Sequence, residues 1–289
     1  MTKLENDYLS VLIRPQGAEL TSLYNKETDV EHLWQADESI WGWHAPNLFP
    51  VVGGCIHNQI LVDGVEYPME RHGFARHSVF NLIESSETFA KFSLNEDERF
   101  IKIYPFKFSF QVLYELIERD LKVTYKVINY DDREIYFAVG GHPAFNVPFK
   151  SGENAEDYFL EFEIDEPLRT HNLSAAGFFT GETAEIARVN NCLPLTPGLF
   201  AKDALVFKDL VSRKLSLKSK NHPHGVSISY PHFPYLGIWA KNGAPFVCLE
   251  PWIGCADREG DAVDLSKKEG VHSLDKGHVF EADYVIGVR

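Results

Sequence analysis

Three short segments of this chain concentrate groups that can move protons or hold polar ligands. Glu70-Arg71-His72-Gly73-Phe74-Ala75-Arg76-His77 sets two arginines and two histidines around a glycine. Gly140-Gly141-His142-Pro143-Ala144-Phe145-Asn146 follows a run from Glu134 to Val139 that reads as a strand, and Leu249-Glu250-Pro251-Trp252-Ile253-Gly254 continues Phe246-Val247-Cys248. Histidine and glutamate are common general acids and bases near neutral pH. Taken singly, His72 or His142 also fits a hydrogen-bonded structural residue at a strand end, because polar groups there point to function only statistically. Glu250 is harder to explain in that way. A carboxylate directly after Phe-Val-Cys-Leu sits at the edge of a core, where burial is costly without a partner.

The elements that must position these groups are strands. Phe106, Phe108, Phe110 and Val112 alternate with polar residues, and Leu121, Val123, Tyr125 and Val127 do the same beyond Glu118-Arg119-Asp120. Two alternating runs across a short polar turn predict an antiparallel hairpin. Asp63-Gly64 and Asn242-Gly243 are further hairpin signals, since these pairs tolerate the positive φ of type I′ turns. Tyr158 to Ile164, Leu215 to Leu217, Val226 to Tyr230 and Val279 to Val288 add short strands. Helical patterning is scarce: Glu182 to Asn191 fits a short helical turn, and Ser266 to Gly270 is too short for more than a turn. No repeat, low-complexity tract or linker divides the chain. Residues 1–289 read as a single all-β domain, a sandwich or barrel.

Charge narrows the partners. The 289 residues carry a formal net charge of -14, and phosphate backbones are bound by clustered Lys and Arg. The short basic groupings, Lys214 to Lys220 and Lys267-Lys268, read as solvated faces. Neither nucleic acid nor a membrane is therefore an expected partner, and no apolar run reaches the ~20 residues needed to span a bilayer. The N-terminus turns acidic at once, unlike a signal peptide. Cys55, Cys192, Cys248 and Cys255 lack Cys-x-x-Cys or zinc-type spacing and read as buried, reduced thiols in a cytoplasmic protein. No metal and no cofactor is expected. Aromatic residues at 13% suit cores, and also suit the apolar faces of sugar rings.

The Gly-His-Pro-Ala-Phe-Asn, His-Gly-Phe-Ala-Arg and Leu-Glu-Pro-Trp-Ile-Gly segments together resemble the signature segments of the aldose 1-epimerase superfamily, and more narrowly its LacX-like branch. The resemblance extends through Gly17-Ala18-Glu19-Leu20, Ala45 to Gly53, Lys202 to Phe207 and Phe233 to Trp239, in the expected order along nearly the whole chain. It implies a galactose mutarotase-like β-supersandwich acting on a small-molecule sugar without a cofactor; it says nothing of oligomeric state. By the same resemblance Glu250 matches the general base and His142 the general acid. His72 matches a second active-site histidine, Asp203 a carboxylate that binds sugar hydroxyls, and Arg76 an arginine near the phosphate in hexose-6-phosphate members. The implied reaction opens the hemiacetal, rotates about C1–C2 and closes it on the other face. That requires a base at O1 and an acid at the ring oxygen, and a nearby Glu must raise the His pKa for it to be the acid at neutral pH. The family's sugar-contacting arginine after the Phe-Pro turn is absent here, where Gly53-Gly54-Cys55-Ile56-His57 stands; Arg71 or Arg76 is expected to supply that donor. The acidity of the chain favours an unphosphorylated sugar, since a negative field opposes anion entry.

Three other readings fit parts of the sequence. His222-Pro223-His224 has a cupin-like His-x-His look but no Glu close behind, which leaves a loop with two solvated histidines. A glycoside hydrolase would pair Asp203 with Glu250 and leave His72 and His142 without a role. A non-catalytic sugar-binding protein on the same scaffold accounts for the missing arginine.

Overall fold

The computed structural model describes residues 1–289. It is built almost wholly from antiparallel strands, with one α-helical turn at Glu98–Ile101 and four 3-10 turns. The largest sheet has nine strands. Its order is Cys192–Pro194, Tyr158–Phe162, Lys214–Ser219, Gly225–Ser229, Val279–Val288, Asp120–Asn129, Phe108–Ile117, Phe89–Asn95 and Asn81–Ser85. Strict alternation explains how it buries one face. In Asp120–Asn129 every second residue from Leu121 to Asn129 is buried, and its hairpin partner Phe108–Ile117 pairs with it from Phe108↔Asn129 to Ile117↔Asp120.

The opposing sheet contains Leu205–Phe207, Tyr235–Trp239, Phe246–Ile253, Val139–Gly141 and Asn47–Leu48 in that order, with Ala144–Asn146 also pairing Phe246–Ile253. Between the two sheets lies a core that includes Phe110, Tyr125 and Tyr284 from one side and Val247, Leu249 and Ile253 from the other. Phe49 is stacked on Phe110 with ring centroids 4.4 Å apart. A smaller sheet, Thr2–Glu5, Leu9–Arg14, Glu19–Asn25 and Val30–Glu31, packs its apolar residues into the same core. No helix is long and apolar enough to cross a membrane.

Most strand expectations hold, with local corrections. Phe106 is buried but precedes its strand, which starts at Phe108. The run from Glu134 is split into Ile135–Phe137 and Val139–Gly141, because the first half pairs with His272–Leu274 instead. Asp63-Gly64 does join a tight hairpin with positive φ at both residues. Around Asn242-Gly243 the strands pair across a longer loop in which only Gly243 has positive φ. Glu182 to Asn191 is not helical: its first part completes the strand Phe179–Glu185, paired with Arg169–Leu173. Lys268 is not solvated but buried, donating to Cys55 Sγ at 3.5 Å and paired with Asp257. His222 is likewise sheltered, 3.2 Å from both the Tyr158 hydroxyl and Glu153. All four cysteines are free, and three are buried; Cys192 is only half-buried.

One buried polar group ties the small sheet to the two large ones. Asn47 Nδ2 donates to Gly17 O at 2.9 Å and Ala18 O at 3.0 Å, while its Oδ1 accepts from the Tyr125 hydroxyl at 2.8 Å. Asn47 is 1% exposed, so water cannot replace these bonds. Asn47→Ala should therefore lower stability by about 3 kcal/mol, since each buried polar group left unpaired costs ~1–3 kcal/mol. Equilibrium denaturation of the variant checks this; a change below ~0.5 kcal/mol would mean the network is dispensable.

Candidate functional site

The site is a consequence of one strand. Phe246–Ile253 is buried at all eight residues, unlike a half-exposed strand. Val247, Leu249 and Ile253 face the main core, while Phe246, Cys248 and Trp252 belong to separate clusters on the other face. Period-two alternation puts Glu250 on that second face as well.

Register supplies its partner. Gly140 pairs with Trp252 and Ala144 with Cys248. The same register continued through the gap sets His142 directly across from Glu250. Their side chains meet, with His142 Nε2 3.1 Å from Glu250 Oε2. On the other flank Glu250 faces Gly237. A methyl on Gly237 would lie 2.4 Å from the Trp252 ring, and one on Gly140 2.6 Å from it. Two strands without side chains at these points thus let one indole spread across the sheet as a floor beside Glu250.

All six sequence-predicted residues, Arg71, His72, Arg76, His142, Asp203 and Glu250, line one cavity of about 230 Å³. His72 comes from the loop before the turn Ala75–His77, and its ring is edge-on to His142 with centroids 5.6 Å apart. The Gly53 N–H donates to His72 Nδ1 at 3.2 Å, and the His72 N–H donates back to Gly53 O at 2.9 Å. Because Nδ1 accepts, the neutral ring carries its proton on Nε2. Burial pushes the His72 pKa well down, helped by His142, Arg76 and Arg71. Asp203 sits at φ 146, a strained conformation for a residue with a side chain, and its Oδ1 accepts from the Ala204 N–H at 2.7 Å.

The two arginines are held differently. Arg76 is paired with no carboxylate. It donates from Nη2 to Arg71 O at 2.9 Å, lies over the Trp43 ring at 5.4 Å, and leaves its buried Nε without a partner. Arg71 donates from Nη2 to Ala176 O at 2.7 Å and packs against Gly177, where a Cβ would lie 2.3 Å from that nitrogen. Arg71 therefore fastens the hairpin Arg169–Leu173/Phe179–Glu185 at the rim of the cavity.

Leu173, Gly177 and Phe179 of that hairpin line the cavity too, as do Trp41, Trp239 and Trp252. Trp41 stacks on His142 at 5.1 Å. Sequence reasoning missed these walls. The hairpin's signals in the sequence are weak, the Ala175-Ala176-Gly177 turn and the short alternation of Phe179-Thr180-Gly181. It also missed Cys248, which has no ligand spacing in the chain yet lies with His142 and Glu250 in space.

Electrostatics run against the expected raising of the His pKa by Glu. Burial pushes Glu250 well above its ordinary 4.5, offset in part by the nearby Trp252 indole and reinforced by Asp203. Burial also pushes His142 down from 6.5 to about 3. Both groups thus favour their neutral forms, and the pair carries a single proton, on Glu250. Glu250 Oε2, His142 Nδ1 and Trp252 Nε1 have no hydrogen-bond partner in the protein. Such orphaned groups are rare in a finished interior and are suited to a polar ligand.

The chain belongs to the aldose 1-epimerase family, whose sequence model matches residues 1–259. It is 32% identical over 261 residues to protein LacX of Lactococcus lactis subsp. lactis, covering 87% of each. A galactose mutarotase related enzyme from Lactobacillus acidophilus is 34% identical, with a TM-score of 0.94 over 100% of this chain and 97% of that one. A galactose mutarotase-like protein from Lactobacillus casei is 33% identical, with a TM-score of 0.94 and complete coverage of both chains. The fold is the galactose mutarotase-like sandwich expected from the sequence.

This single proton has a testable signature. Unfolded, the pair holds two protons below about 4.5, one between 4.5 and 6.5, and none above. Folded, it keeps one proton from about pH 3 up to the raised Glu250 value. Its contribution to stability is therefore level between 4.5 and 6.5. It falls on the alkaline side, where only the folded state keeps a proton, and on the acid side, where the unfolded state binds one more. Unfolding free energies across pH, wild type minus the Glu250→Gln/His142→Asn double variant, should show that plateau with both flanks. A difference that is flat throughout means both groups titrate normally.

Proposed function

We propose that this protein is an isomerase, an aldose 1-epimerase that interconverts the α- and β-anomers of a hexose by general acid–base ring opening. The cross-strand His142–Glu250 pair carries this reading, because it offers a proton donor and a proton acceptor side by side on an aromatic floor. Tryptophan faces suit the C–H faces of a pyranose, and the unpartnered polar atoms suit its hydroxyls.

The proton count closes without any cofactor. Moving the proton from Glu250 to His142 leaves the net charge of the pair unchanged. Sugar hydroxyls that hydrogen-bond the carboxylate favour this ionised form. Glu250 then takes the O1 proton while His142 gives its proton to the ring oxygen, and the hemiacetal opens. After rotation about C1–C2 the two transfers reverse on the other face. His72 Nε2–H is a neutral donor for a hydroxyl, and Asp203 is an acceptor.

A second reading, hexose-6-phosphate as substrate, is favoured by one observation. Arg71 and Arg76 both line the cavity, and neither is paired with a carboxylate in a chain of net charge -14.

Polarimetry on fresh α-glucose or α-galactose tests the first reading. Glu250→Gln and His142→Asn should each slow anomerisation by at least ~10²-fold. Folded variants with near-wild-type rates, or a wild type no faster than boiled protein, would remove the assignment; the latter leaves a sugar-binding protein. Arg76→Ala decides between the substrates. On the phosphate reading KM for hexose-6-phosphate rises ~10-fold or more while free hexose is little affected; on the unphosphorylated reading the two sugars respond alike.

A further inference from the structure

Cys248 has no part in the chemistry above, yet it shares a strand face with Glu250, two residues away. Its thiol, a ring nitrogen of His142 and a carboxylate oxygen of Glu250 all lie within 4.8 Å of one another, and all three residues are buried. The fold makes this group through the register that sets Ala144 against Cys248 and carries His142 to Glu250. Thiolate, imidazole and carboxylate are zinc donors, and three protein ligands leave the fourth tetrahedral position open. Tetrahedral zinc bonds of ~2.0–2.3 Å place ligand atoms about 3.3–3.7 Å apart. His142 Nε2 and Glu250 Oε2 are 3.1 Å apart, and with all three ligand atoms within 4.8 Å of one another, side-chain adjustment alone brings them to these separations. Independently, Glu250 Oε2 is a wholly buried acceptor without a hydrogen-bond partner, on the wall of an open cavity.

We propose that His142, Cys248 and Glu250 form a site for zinc or a similar borderline-soft divalent cation, and that filling it switches the enzyme off. The inhibitory consequence rests on the epimerase reading; the binding site does not. Binding exchanges the cation for two protons, one from the Cys248 thiol and one from the Glu250 carboxyl. The bound form has Cys248 as thiolate, Glu250 as carboxylate and His142 as neutral imidazole. Both proton-transfer groups are then committed to the metal. Mg²⁺, which prefers oxygen ligands and retains its waters, has no purchase on such a set.

The test uses the whole chain freed of metal by chelator. Adding Co²⁺ should produce a cobalt–thiolate charge-transfer band in the near ultraviolet at one equivalent, and Zn²⁺ should displace it. Zn²⁺ should abolish anomerisation and EDTA restore it, with Mg²⁺ inert. Cys248→Ser and Cys248→Ala should keep the basal rate, lack the cobalt band, and need at least ~10-fold more zinc for the same inhibition. Loss of a ligand costs no less than loss of its outer partner, which is ~10–100-fold. A wild type with no thiolate band, or zinc sensitivity unchanged in both Cys248 variants, would overturn the site. If the metal-free wild type has no epimerase activity, the function reading fails, and the cobalt titration still decides the site.

Discussion

Glu250 is a carboxylate at the centre of a strand that is buried from end to end, and no cation in the protein neutralises it. Its surroundings are arranged around that cost. Its nearest ion-pair partner is His142, which burial has also stripped of its charge. Two groups that each resist ionisation lie 3.1 Å apart and carry one proton, whose move from Glu250 to His142 would leave the net charge unchanged. A solvated Glu–His pair could do this too, but water would supply the hydrogen bonds that here are left for a ligand.

The rest of the cavity keeps that arrangement open. Gly140 and Gly237 leave room for Trp252 to lie across the sheet, so the floor is apolar right up to the carboxylate. Trp41 covers His142, and Arg71 fastens the hairpin bearing Phe179 over the rim. His72 is locked by reciprocal bonds with Gly53 and can only donate from its free nitrogen. The scaffold behind is held by Asn47 and by Glu19, whose buried carboxylate accepts from the His44 and Ala45 N–H groups and is paired with Arg14. Glu19 is a buried carboxylate to which the fold supplies two backbone donors and an arginine. Glu250 is the contrasting case, and strain of that kind is a property of sites rather than of cores.

Arginine placement carries the same distinction. Arg14, Arg119, Arg133 and Arg289 each pair with a carboxylate. Arg71 and Arg76 bond only backbone carbonyls and face the cavity. In a strongly acidic chain, this leaves two guanidinium groups without carboxylate partners beside the cavity, so net charge alone is a poor guide to what can enter.

Much of this was legible in the chain. Strict alternation in Asp120–Asn129 and Phe108–Ile117 dictates a half-buried hairpin whatever lies around it, because side chains on a strand must alternate. The ordered segments around His72, His142, Asp203 and Glu250 named the six residues that the fold brings to one cavity. What the chain could not reveal is set by pairing between distant strands. The register that opposes residue 142 to residue 250 gathers His142, Cys248 and Glu250, although no local spacing links them. Burial of Lys268 and the partial shelter of His222, which look like solvated polar residues in sequence, follow from what packs over them. The protonation of the His142–Glu250 pair is likewise decided by desolvation, which exists only once the strand is enclosed. Sequence determines which face of a strand a side chain takes; tertiary structure decides what stands opposite it and whether water can reach it.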